Sequence, residues 1–138
     1  MRYGVITAAF ISLLSLVPSA RTAEPPGGRH AVELPTAPAT APPVKVIPVY
    51  DAPHLKLATI TLRDGAVLER HTAPMPVTIQ VLVGEAEVTF DDGHRERVSP
   101  SRLVALDASV PHAVVPVGKA TVVLLVHHMK QRTAPAGP

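Results

Sequence analysis

Between Val44 and Met129 apolar and polar residues alternate with period two in short runs separated by turn residues, the pattern of strands buried on one face. Leu55–Leu62 (LKLATITL) alternates and is closed by Arg63-Asp64-Gly65. Val77–Val83 (VTIQVLV) ends at Gly84, and Glu85–Phe90 leads into Asp91-Asp92-Gly93, a hairpin signal because Asp and Gly accept the positive φ of a tight turn. His94–Val98 is the return strand. Val44–Val49, Arg102–Leu106, Ala113–Val117 and Thr121–Met129 complete seven or eight short strands, and no 3.6-residue stripe calls for a helix. The pattern predicts an all-β domain over residues 45–130, a small sandwich or barrel. Its interior is expected from Val77, Ile79, Val81, Val83, Leu103, Ala105, Val122, Leu124 and Val126, with Gln80 on the outer surface or in a subunit contact.

The flanks read differently. Met1-Arg2 precede an uncharged run from Tyr3 to Val17, followed by Pro18, Ser19 and Ala20. A basic start, a short apolar run and small residues are the pattern of a secretory signal peptide, here residues 1–23 with cleavage after Ala20 or Ala23. The run is short for a membrane span. Residues 24–44 are rich in proline and alanine, a composition that buries too little apolar surface to offset backbone ordering, and are expected as a disordered linker. Residues 131–138 are expected as a flexible tail. The destination is outside the cytoplasm, periplasmic or secreted.

Composition removes several functions. The chain has 138 residues and no cysteine, hence no disulfide, thiolate metal site or thiol nucleophile. Its net charge of +2 comes from 13 Lys+Arg against 11 Asp+Glu, and a cut after Ala23 would remove Arg2 and Arg21 and leave 11 of each sign. No basic face with interleaved aromatics exists for nucleic acid. Outside the N-terminal segment only Tyr50 and Phe90 are aromatic, so an interior pocket is expected to be aliphatic.

Particular residues then carry a resemblance. Gly65 is followed six residues later by His71, Gly84 ends the next strand inside VLVGEAEV, and Asp107-Ala-Ser-Val-Pro-His112 sets a second histidine behind a turn. From Leu55 to Val126 the chain resembles the cupin family, whose motifs run G-x5-H-x-H-x(3,4)-E-x6-G and G-x5-P-x-G-x2-H-x3-N. The resemblance implies a single antiparallel double-sheet (jelly-roll, cupin-like) barrel, conical and with a pocket in its mouth, and a site of three histidines and one carboxylate for a divalent transition-metal ion. His71 and His112 match two of those ligands. Ala73 stands at the second histidine, and Val77 (Thr78 with the longer spacing) at the glutamate. In the second motif Ser101, Asp107, Ser109 and Pro116 replace glycine, proline, glycine and asparagine.

His71 and His112 are therefore expected to face one another across the pocket. A third ligand would come from His127 or His128, of which alternation sends one inward and one outward, both faces being apolar. His54 and His94 are assigned to the surface and the hairpin, Glu69 and Arg70 to a solvated pair, and Asp107 to an ordinary turn. Two functions compete: a non-catalytic or small-ligand-binding barrel with an incomplete metal site, and a metal-dependent enzyme of oxygenase or isomerase type using His71, His112 and an unconventional third ligand. A homodimer through edge strands is a third expectation.

Overall fold

The computed structural model describes residues 28–131. The segment expected as a signal peptide lies outside the described residues. Among the described residues there is no helix, and nine strands form: β1 (Val44–Asp51), β2 (Leu55–Leu62), β3 (Leu68–His71), β4 (Val77–Val83), β5 (Ala86–Phe90), β6 (Arg95–Val98), β7 (Val104–Leu106), β8 (His112–Pro116) and β9 (Val122–Met129). They pair antiparallel in two sheets, ordered β1-β2-β9-β4-β7 and β3-β8-β5-β6. From β3 onward the chain crosses repeatedly between the sheets, which places the two histidine-bearing segments together.

Alternation builds the core. Val77, Ile79 and Val81 of β4, Ala86 and Val88 of β5, Val114 of β8, and Val122, Leu124 and Val126 of β9 meet Ile60, Leu62, Val98 and Leu106 between the sheets. Each such valine, leucine or isoleucine side chain contributes about 1.5–3 kcal/mol on burial. The turns behave as their residues dictate. Asp64 and Gly65 take φ of 55° and 74° in the β2–β3 connection, and Gly93 closes the β5–β6 hairpin at 83°. Gly84 sits at φ 82°, and a Cβ there would lie 3.0 Å from the Thr121 carbonyl oxygen.

The interior differs from the expected set at three places. A bulge between Val81 and Val83 shifts the β4–β9 register, and Val83 is left 51% exposed. Leu103 and Ala105 point outward, while Val104 and Leu106 sit opposite Ile79 and Val77. Reciprocal hydrogen bonds between Ser99 and Arg102 set that phase just before β7, and an uninterrupted apolar run conceals it. β3 is an additional strand; its LERH sequence looks polar because it is a sheet edge. Arg70 there pairs with Asp91 across the hairpin, at 2.7 and 2.5 Å, and not with Glu69.

Residues 31–43 also depart from the linker expectation. They have no regular secondary structure, yet they lie on the outer face of β2. The Ala37 N–H donates to Thr61 Oγ1 at 2.9 Å and the Thr59 hydroxyl donates to the Pro35 carbonyl at 3.0 Å. The Arg63 guanidinium donates to the Pro38 and Ala37 carbonyls, and its backbone N–H donates to Pro43. Ala37 is 2% exposed, and Thr59, Thr61, Val123 and Leu125 on that face are buried. Prolines keep their carbonyls, so a proline-rich stretch with no core of its own can still satisfy the polar groups of a neighbouring strand.

Two substitutions measure these restraints. Thr61→Val leaves the buried Ala37 N–H without an acceptor and should lower urea-unfolding stability by about 1–3 kcal/mol. Gly84→Ala should lower it by roughly 1–3 kcal/mol through a left-handed alanine, with the close carbonyl adding to the loss. Unchanged midpoints would contradict the packing described.

Candidate functional site: a histidine-rimmed aliphatic pocket

β3 ends at His71 and β8 begins at His112, and the two are direct partners in antiparallel register. Residues opposed in this way project to the same face, and the imidazole centroids lie 4.4 Å apart with the planes inclined at 57°. The loops that deliver them are tied together, because the Ser109 N–H donates to the Ala73 carbonyl at 2.7 Å. Ser109, at a motif glycine position, keeps the positive φ that a glycine would supply, 63°.

Each ring is oriented by its own backbone. His71 Nδ1 bonds the Glu69 carbonyl at 2.7 Å, and His112 Nδ1 bonds the Val110 carbonyl at 2.8 Å. A carbonyl only accepts, so Nδ1 carries the proton in both neutral rings and Nε2 keeps its lone pair. His71 is exposed at the rim, whereas His112 is 3% exposed.

β9 settles which of its two terminal histidines turns inward. His128 shares the phase of Leu124 and Val126, stands opposite Val77 and lines the same pocket as His71 and His112. His127 points away and hydrogen-bonds Thr78 Oγ1 at 2.8 Å. His128 Nδ1 is buried with no hydrogen-bond partner. His54 and Asp107 are exposed, and His94 pairs with Glu96 at 2.7 Å on the hairpin.

Behind this rim is a cavity of about 180 Å³. Ile60, Leu68, Ile79, Val114, Leu124 and Val126 line it with aliphatic side chains, together with the exposed Thr72 and Pro74. Ala73 and Val77, at the two ligand positions missing from the motif, also line it, so hydrocarbon stands where the resemblance would put an imidazole and a carboxylate. No acidic or basic side chain other than histidine lines the pocket. Among the described residues, no three His, Asp or Glu side chains are grouped so as to hold a metal ion. The donor set therefore does not fit the ion that the motifs imply.

No model of a known protein family matches the chain, and no curated protein matches it. Solved structures do. An RmlC-like cupin protein with a double-stranded β-helix fold from Methanocaldococcus jannaschii superposes with a TM-score of 0.61 at 16% identity, covering 74% of this chain and 91% of that one. The cupin domain of an XRE-family transcriptional regulator from Enterobacter cloacae gives 0.58 at 22% identity, covering 66% and 100%. A DMSP lyase from Ruegeria pomeroyi gives 0.57 at 18%, covering 66% and 49%. The domain has the cupin fold. In this cupin-fold barrel His71, His112 and His128 line one pocket, the first two brought together by the β3–β8 register and the third by that of β9.

Burial holds the His112 imidazole below the ordinary histidine range; its Val110 hydrogen bond opposes this and the neighbouring His71 adds to it. His128 is lowered too, first by burial, against a hydrogen bond to the Lys56 backbone, with Lys56, His71 and His127 adding to the shift. A folded-state pKa below the unfolded value of 6.5 means that the unfolded chain binds more protons, so stability falls as pH drops through about 6.5 and is restored above it. Urea midpoints should therefore decrease between about pH 7.5 and pH 5, and His112→Phe combined with His128→Phe should flatten that dependence.

Proposed function

We propose that this chain is an exported cupin-fold binding module that encloses a small, largely apolar molecule and works without a resident metal ion. The observation carrying the proposal is the pocket itself: an aliphatic cavity of about 180 Å³ in which Ala73 and Val77 occupy two ligand positions of the metal motif. A pocket mostly of hydrocarbon with a few convergent polar groups is the usual form of a small-molecule site. Fold alone does not choose, since one neighbour is a domain of a transcriptional regulator and another a lyase. The uncharged run behind Met1-Arg2 supports export, and the mature N-terminus would then follow Ala20 or Ala23.

The competing reading is a metal-dependent cupin-type enzyme, favoured by the third imidazole, His128, at the same mouth. Metal analysis of protein purified from metal-supplemented medium separates the two. Binding far below one equivalent is expected. A full equivalent of a divalent ion, lost from both His71→Ala and His112→Ala, would establish the metal enzyme instead. Mass spectrometry of protein recovered from a secreting host should show the chain beginning at Arg21 or Glu24; an intact Met1 terminus would remove the export proposal.

A further inference from the structure

The binding-module reading can be taken further, to the chemistry of the occupant, and the inference rests on that reading. Size sets the first bound. A dry cavity of about 150 Å³ accommodates benzene, so the 180 Å³ here suits a body of about six or seven heavy atoms. Its wall carries no aromatic face on which a flat ring system would stack, and no charged side chain that would balance an ammonium or a carboxylate. Lys56, opposite His128 in register, lies outside the lining.

The polar rim sets the second bound through its hydrogen-bond roles. The Glu69 and Val110 carbonyls take the Nδ1 protons of His71 and His112, and in the neutral rings Nε2 can then only accept. His128 lines the same pocket, and its buried Nδ1 has no hydrogen-bond partner. His71 and His112 therefore present Nε2 lone pairs to the rim, which also carries the Thr72 hydroxyl. We infer that the pocket selects a compact neutral aliphatic alcohol, its hydrocarbon body against Ile79, Val114 and Leu124 and its hydroxyl donating to the histidine rim. A ketone of equal size has no proton to give the imidazole lone pairs, and a carboxylate brings an uncompensated charge.

Titrations of the mature chain at about pH 7.5, followed by the methyl resonances of Ile60 and Ile79, decide it. The probes are cyclohexanol, cyclohexanone and cyclohexanecarboxylate, which share a ring and differ in the head group. Cyclohexanol should bind at least about fivefold more tightly than cyclohexanone, the margin of one ordinary hydrogen bond, and the carboxylate should bind more weakly than either. His112→Phe, which keeps a ring and removes its acceptor, should reduce the alcohol-to-ketone ratio towards one while ketone binding persists. Should that variant not fold, His71→Phe at the exposed rim serves the same comparison. Equal binding of alcohol and ketone, or tightest binding of the carboxylate, would overturn the inference and leave the binding module standing. No methyl shift with any of the three would overturn the binding-module reading, and the inference with it.

Discussion

The double burial of β9 is the constraint on which the molecule turns. This strand lies between β2 and β4, and from Val122 to Val126 neither face reaches solvent. Its inner side chains Val122, Leu124 and Val126 belong to the core between the two sheets. The outer ones, Val123 and Leu125, lie beside Thr61 and Thr59 on the face against which residues 31–43 run. A one-residue slip of β9 would exchange these sets and with them His127 and His128. The position of one histidine in the pocket thus follows from the packing of five aliphatic residues, Val122 to Val126, of the same strand.

The pocket is what the barrel leaves unfilled. Aliphatic side chains close the far part of the space between the sheets, and toward the mouth Ala73 and Val77 are too short to fill what remains. The imidazoles of His71 and His112 are positioned by main-chain carbonyls, not by carboxylates. Backbone carbonyls fix the tautomer and the ring plane without adding charge, so the rim stays polar while the cavity stays neutral. Burial of His112 and His128 acts in the same direction, favouring uncharged rings.

Much of the fold was legible because period-two alternation and turn residues are local signals. LKLATITL, VTIQVLV and the Asp-Asp-Gly turn correspond to β2, β4 and the β5–β6 hairpin. Errors gathered where a local signal is degenerate. In RLVAL every residue but the first is apolar, so the sequence does not say which alternate set faces inward, and in LERH an edge strand looks like a loop. The approach of His71 to His112 was readable only by way of motif spacing, since forty intervening residues carry no trace of it.

By itself, then, the chain's sequence determined an all-β domain, the position of most turns, an aliphatic interior and the absence of thiol chemistry, since these depend on residue type and near neighbours. Tertiary structure alone decided that His128 and not His127 enters the pocket, that Leu106 and not Leu103 joins the core, and that residues 31–43 cover β2. Each of these is a question of register or of which surface meets which, and both faces of the segments concerned look alike in composition. Side-chain identity specifies what a strand can bury; only its partners specify which side it buries.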